Sequence, residues 1–281
     1  MTIRALIIDY DKDTRRKLHS FLSNRGYAVW TASGVSEALN ISQNIPCDVV
    51  ICETFFEDGS AFDLISNLNN MGSTARFIVM TPRGDLKSVL DALGAGVYDI
   101  LKKPFSENEL EIAVKNAAGD VISSEKIEIK RVQAGWVEVQ IPSLESSMRR
   151  LDRFFKLMYE DYVAPEVLED ISVCFREIVR NAIEWGHKFD VNKPVKISHM
   201  LHHDEFLIKI DDDGDGFEIK NIIEDSRDLT KVQDDRENGG IRPGGMGMTI
   251  VNGLMDQVLR NQKGNSIILA KKTRIVAPSQ S

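Results

Sequence analysis

The chain has 281 residues, room for two ordinary domains that each bury a core of their own. Hydrophobic residues make up 42% and charged residues 28%, the composition of a globular protein, and the net charge of −8 argues against broad contact with a nucleic-acid backbone. Met1-Thr2-Ile3-Arg4 lacks a signal-peptide layout and no apolar run approaches about 18 residues, so a cytoplasmic protein without a membrane segment is expected. Cys47, Cys52 and Cys174 are few, odd in number and set among apolar residues, which reads as buried thiols in a reducing compartment.

Residues 1–120 alternate short apolar runs with helix-period segments. The runs are Ala5–Ile8, Tyr27–Trp30, Val49–Cys52, Phe77–Met80 and Asp99–Leu101. Helical patterns lie near 12–24, 34–43, 61–70, 84–94 and 106–118; in the first, Leu18, Phe21 and Leu22 share a face. Strands that are apolar on both faces and alternate with helices predict a five-stranded parallel sheet covered on both sides. In such a fold functional groups gather at the carboxyl ends of the strands.

Residues 121–125 read as a linker. A second domain is expected over 126–275, followed by a frayed tail at 276–281. Ile127, Ile129, Val137, Val139 and Ile141 alternate with polar residues around a turn at Gln133-Ala134-Gly135, as in a hairpin. Ser143 is placed to cap a helix carrying Met148, Leu151, Phe154, Phe155 and Leu157. A second helix is expected from Pro165 to about His187, then strands at 194–201 and 205–211. A glycine-rich stretch, Gly239 to Gly247, precedes a last helix and a strand around Ser266–Leu269.

The first domain resembles the response-regulator receiver family. Ile7-Ile8-Asp9-Tyr10-Asp11 follows the first strand, Glu53 and Phe56-Glu57-Asp58-Gly59-Ser60 the third, Thr81 the fourth, and Lys103-Pro104-Phe105 the fifth. The resemblance implies a doubly wound α/β domain. Its pseudo-active site would be Asp9, Tyr10, Asp11, Glu53, Thr81 and Lys103. The family's chemistry uses an aspartate after the third strand as phosphoryl acceptor and two acids after the first to hold Mg²⁺. Here Glu53 stands at the acceptor position, longer by one methylene of roughly 1.5 Å, which moves its carboxylate toward Lys103. Tyr10 replaces one metal-holding acid, and Asp11 is one residue out of register. A receiver fold kept for docking, or pre-set by a Glu53–Lys103 ion pair, is the expectation.

The second domain resembles the ATPase domains shared by histidine kinases, gyrases, heat-shock chaperones and anti-sigma factor serine kinases, an α+β sandwich. Three motifs carry the resemblance. Glu177-Ile178-Val179-Arg180-Asn181 sets Glu177 and Asn181 four apart on one helix face. Asp212-Asp213-Gly214-Asp215-Gly216 follows a strand, and Gly244-Gly245-Met246-Gly247 turns into a helix. The resemblance implies Asn181 as Mg²⁺ ligand and Glu177 as the catalytic base. Asp212 would accept from the adenine amine, Gly214 and Gly216 would flank the base, and Gly245 and Gly247 would offer N–H groups to the ATP phosphates. An EF-hand at Asp211–Gly216 is disfavoured by its strand-like flanks and the lack of a bidentate glutamate.

None of His19, His187, His199, His202 and His203 lies in a phospho-accepting helical hairpin; His199, His202 and His203 read as solvated or structural. Val137–Ser143 and Asn181-Ala182-Ile183-Glu184-Trp185-Gly186 look most like anti-sigma factor serine kinases, with Trp185 where histidine is common and a charged lid at Asp225–Arg242. The resemblance therefore implies an ATP- and Mg²⁺-dependent serine/threonine kinase acting on a small antagonist-like protein. The alternative is a non-catalytic module that sequesters a sigma factor or another regulator. No membrane or nucleic-acid partner is expected, and a homodimer is an open option.

Overall fold

The computed structural model describes residues 2–82, 84, 86–119, 127–133, 135–214, 216 and 245–273. The expected linker, the tail, the lid at Asp225–Arg242, and Asp215 and Gly244 of the motifs lie outside these residues. The chain divides into two compact units, Met1–Ser124 and Glu125–Ser281.

In the front unit, strands β1 (Arg4–Ile8), β2 (Ala28–Ala32), β3 (Val49–Glu53), β6 (Arg76–Thr81) and β7 (Asp99–Lys102) form one parallel sheet in the order β2-β1-β3-β6-β7. Helices α1 (Lys12–Ser23), α2 (Val35–Asn44), α3 (Ala61–Asn70), α4 (Leu86–Gly94) and α5 (Glu107–Gly119) connect and follow them. Both faces of the central strands are covered: Ala5 to Ile8 and Val49 to Cys52 are buried without a break. That is the reason these segments are runs of apolar residues and not alternations. Leu18, Phe21 and Leu22 of α1 pack into the core beside Ile7, Ile51 and Val114.

Two helix starts hold the loops at the carboxyl edge. Asp11 caps α1 by accepting from the Thr14 N–H at 2.8 Å and the Thr14 hydroxyl at 2.6 Å. Helix α2 begins at Gly34 without a capping side chain of its own. Asp58 serves it from the loop after β3, accepting from Val35 N–H at 2.9 Å and Ser36 N–H at 2.8 Å. Those two N–H groups hold the Asp58 carboxyl below its ordinary value. A two-residue hairpin, β4 (Phe55–Phe56) with β5 (Gly59–Ser60), shapes the same loop; sequence patterning gave no sign of it.

In the rear unit an antiparallel sheet of six strands runs β12-β13-β11-β10-β9-β8. The strands are β8 (Glu128–Gln133), β9 (Trp136–Ile141), β10 (Val195–His202), β11 (Glu205–Asp211), β12 (Gln257–Arg260) and β13 (Ser266–Lys272). Val137, Val139, Ile141, Val195, Ile197, Phe206, Ile208 and Ile210 are buried, alternating with wetter neighbours, so one face is apolar. Helices α6 (Glu145–Tyr159), α7 (Pro165–Asn181) and α8 (Gly245–Leu254) cover it, with α7 packed against both others.

Phe155 is the hub of this core. Its ring stacks on Phe175 at 5.7 Å and meets Phe206 edge-on at 5.1 Å and His199 at 5.2 Å. His199 is fully buried and bonded to the Tyr159 hydroxyl at 2.7 Å. Burial pushes its pKa down to about 3, so it is a neutral core residue.

Two expectations are corrected and one strand is added. Ser143 is not a helix cap: Leu144 holds the N-cap position of α6 with no side-chain bond, because the Ser143 hydroxyl is engaged elsewhere. The second helix does not run as α-helix to His187; it ends at Asn181 and continues as a π turn over Ala182–Gly186. Strand β12 went unpredicted, since Gln257-Val258-Leu259-Arg260 is too short to show a period.

Truncating the hub, Phe155→Ala, is expected to cost the rear unit about 3–5 kcal/mol. Urea unfolding followed by the rear unit's tryptophans checks this; a loss below about 1 kcal/mol would show that the aromatic cluster is not the centre of the core.

Candidate functional site

The front unit gathers Asp9, Glu53, Thr81 and Lys103 at the carboxyl ends of β1, β3, β6 and β7. The first three are buried. The Lys103 ammonium lies 3.0 Å from Asp9 Oδ2 and bonds directly to Glu53 Oε1. The Lys103 N–H donates to the Thr81 carbonyl at 2.7 Å, which seats the lysine against β6. Burial opposes the charge on Lys103, but the bonds to Glu53 and Asp9 outweigh it and raise the ammonium above its ordinary pKa.

Tyr10 and Asp11 do not join this group. Tyr10 is 69% exposed. Asp11 spends its oxygens on the start of α1, while its own N–H donates to Asp9 Oδ1 at 2.8 Å. The donor set does not fit Mg²⁺. One carboxylate faces an ammonium, the second acid caps a helix, and the third position is a solvent-facing phenol.

The rear unit presents a different surface. Helix α7 carries Glu177 and Asn181 one turn apart. The Glu177 carboxylate lies 3.6 Å from Arg180, whose guanidinium also approaches Glu145 at 3.7 Å. Gly247 in the first turn of α8 sits directly on Glu177; a Cβ there would overlap the carboxylate. Gly245 opens α8.

Asp212 follows β11. Its N–H donates to the Asn265 carbonyl at 3.0 Å, and its Oδ1 accepts from Gly214 N–H at 2.8 Å. Glycines crowd it: a Cβ on Gly186 would stand 2.5 Å from Asp212 Oδ1, and one on Gly214 would stand 2.5 Å from the Gly186 carbonyl oxygen. Gly216 takes φ +74° against Lys263, a conformation that favours glycine. Burial raises the Asp212 pKa, more than the Gly214 N–H and His187 lower it. A half-buried carboxylate with one protein donor and no ion pair among the described residues has acceptor capacity left for a ligand amine.

Family comparison identifies the two units. Residues 5–115 match the response regulator receiver domain, and residues 141–271 match the histidine kinase-like ATPase domain. The chain is a receiver domain followed by a histidine kinase-like ATPase domain. The response regulator MprA of Mycobacterium sp. (strain KMS) is 31% identical over 110 residues, 39% of this chain and 48% of MprA. The acid tolerance regulatory protein ActR of Rhizobium meliloti is 25% identical over 135 residues, 48% of this chain and 70% of ActR. This chain thus spans about half the length of MprA. A two-component response regulator from Clostridium difficile is 30% identical, covers 43% of this chain and all of its own, with a TM-score of 0.41.

The ATPase domain binds ATP, and its residues fit that ligand: the glycine-crowded Asp212 suits a base, and the glycine-lined start of α8 suits phosphates. Among the described residues no group of three or more His, Cys, Asp or Glu side chains gathers to hold a metal. A Mg²⁺ ion there would rest on Asn181 and the nucleotide's own phosphate oxygens. The three thiols are buried, and burial raises them, Cys52 to about 12 and Cys47 and Cys174 to about 11.

Sequence reasoning missed His187, which lies 2% exposed behind Asp212. It accepts from Asp213 N–H through Nε2 at 3.0 Å and meets the Ser143 hydroxyl through Nδ1 at 2.8 Å. The only available signal was its place just past the Asn181 motif. Arg180 beside Glu177 was also missed, although its spacing on the same helix was visible.

The receiver is expected to take no phosphoryl group. Intact mass after acetyl phosphate with Mg²⁺ should be unchanged, because Glu53 is bound to Lys103 and no second acid is free for the metal. A phosphoryl increment mapped to Glu53 contradicts this.

Proposed function

We propose that the protein is an ATP-dependent serine/threonine protein kinase of the anti-sigma factor type, which phosphorylates a small antagonist protein and so switches its partners. Glu177 is the base that takes the substrate hydroxyl proton, and Asn181 holds Mg²⁺. Asp212, Gly214 and Gly216 receive the adenine, and Gly245 and Gly247 receive the phosphates. The observation that carries the reading is the seating of Glu177 against Gly247. A carboxylate one turn from Asn181 lies directly at the start of the helix whose N–H groups suit phosphates.

In this reading the receiver acts without phosphorylation. Lys103 between Asp9 and Glu53 supplies a fixed charge pair where a phosphoryl group would otherwise neutralise the ammonium. The two domains belong to one cytoplasmic regulator, with the receiver setting kinase output.

The Arg180 contact favours a second reading. A guanidinium 3.6 Å from Glu177 competes for the lone pairs that a base needs. On that account the domain binds ATP without turnover and sequesters a sigma factor or another regulator.

Glu177→Gln separates the two. Glutamine keeps the volume and leaves Asp212 and Asn181 in place, so nucleotide affinity should hold. Phosphoryl transfer should fall by about 10² to 10³, the lower half of what a positioned base contributes, because this chemistry leans on positioning and charge. Single-turnover transfer from γ-labelled ATP to candidate antagonist proteins reads the outcome. Equal rates in variant and parent exclude Glu177 as base, and ATP binding without transfer in the parent supports the sequestering module.

A further inference from the structure

We propose that His187 is a positioning residue of the nucleotide site: its imidazole bridges Ser143 to the Asp213 backbone and thereby fixes the Asp212 carboxylate against Gly186, at the end of the π turn that follows helix α7. The inference rests on the reading of Asp212 as the base-binding residue, but its structural half stands on the bridge alone.

The hydrogen-bond directions are settled by chemistry. The Asp213 backbone N–H can only donate, so His187 Nε2 must accept. The Ser143 hydroxyl sends its proton to the Lys193 carbonyl at 2.6 Å, since a carbonyl can only accept. The Ser143 oxygen is then free to accept from Nδ1–H at 2.8 Å. Every group in the chain Asp213 N–H, His187, Ser143, Lys193 C=O is satisfied only when the imidazole is neutral and carries its proton on Nδ1.

This bridge ties three stretches that lie far apart in sequence, with His187 and Lys193 on the same one. Ser143 belongs to the junction of β9 and α6, Lys193 to the approach to β10, and Asp213 to the loop after β11. His187 itself is anchored at the end of the π turn, where its N–H donates to the Ala182 carbonyl at 2.9 Å. Gly186, its neighbour, is the residue against which Asp212 Oδ1 rests. The same two residues therefore set the depth of Asp212, Gly186 by omitting a side chain and His187 by holding the next peptide N–H. Asp212 has no ion pair among the described residues to hold it otherwise.

The charged groups facing the ring are Asp212 and Asp213 after β11 and Lys193 before β10. Lys196, on β10, pairs with Asp213 at 3.6 Å and offsets part of its charge. Burial lowers His187 despite the two carboxylates. A second proton would turn Nε2 into a donor aimed at the Asp213 N–H and break the bridge. The neutral form is favoured on folding, so this contribution to stability is fully present above the ordinary histidine pKa. It is lost as pH falls through the lowered folded value.

The test compares His187→Gln and His187→Leu with the full-length parent. Glutamine can present an acceptor to Asp213 N–H and does not titrate; leucine cannot accept. ADP affinity at pH 7.5 should be retained within about threefold by His187→Gln and weakened about tenfold or more by His187→Leu, a loss on the scale of one hydrogen bond to a buried N–H. As pH is lowered from 7.5 through the folded value of His187, the ratio of parent to His187→Gln affinity should fall, which cancels the titration of ADP itself. Amide exchange at Asp213 in nucleotide-free protein is the second arm, with faster exchange expected only in His187→Leu. Unchanged exchange in His187→Leu overturns the bridge. Faster exchange with unchanged ADP affinity overturns the positioning role. A parent that binds no ADP overturns the nucleotide reading instead, while the exchange arm still decides the bridge.

Discussion

A carboxylate placed half out of water at the end of a strand, with one N–H among the described residues to satisfy it, is the constraint around which the ATPase domain is arranged. Asp212 needs close glycines to reach its depth, which is why Gly186 and Gly214 stand where a Cβ would collide. It needs its loop fixed from behind, which His187 and Asn265 do through the Asp213 and Asp212 N–H groups. Its acceptor capacity is not exhausted among the described residues, and burial raises its pKa. The six-stranded sheet and the aromatic core around Phe155 supply the rigidity behind this edge.

The receiver shows the opposite economy. Its site is closed by its own side chains, with Lys103 set between Asp9 and Glu53 and with Asp11 turned away to cap α1. A lysine bonded to both buried carboxylates holds Asp9 and Glu53 against itself and not toward a metal or a phosphoryl group. Asp58 then ties the loop after Glu53 to the start of α2. The same fold thus keeps its parallel sheet and sets a Lys103–Glu53 ion pair at its carboxyl edge.

Much of this was legible from the sequence because it rests on periodicity. Continuous apolar runs at Ala5–Ile8 and Val49–Cys52 declare a sheet buried on both faces, and alternation over Val137–Ile141 declares one buried on a single face. The meeting of Glu53 with Lys103 followed from the receiver resemblance, as the pre-set form of the two expected. Long-range polar partnerships were not legible. Ser143 looks like a helix cap from its neighbours, yet its hydroxyl serves Lys193 and His187, some 50 and 44 residues away. His187 carries no local pattern, and Asp11 as a cap competes with Asp11 as a metal acid on equal sequence grounds. Strand β12 is too short for a period to show, and the π turn after Asn181 leaves no signature in residue order.

The central claim is that the ATPase domain takes its nucleotide through Asp212. Calorimetry of the full chain with and without Mg-ATP tests it most directly, with Asp212→Asn as the paired variant. At about 100 times the dissociation constant, nucleotide should stabilise the ATPase transition by roughly 2.7 kcal/mol in the parent, leave the receiver transition in place, and shift neither in Asp212→Asn. A parent in which neither transition moves, or a variant that moves as far as the parent, would contradict the account.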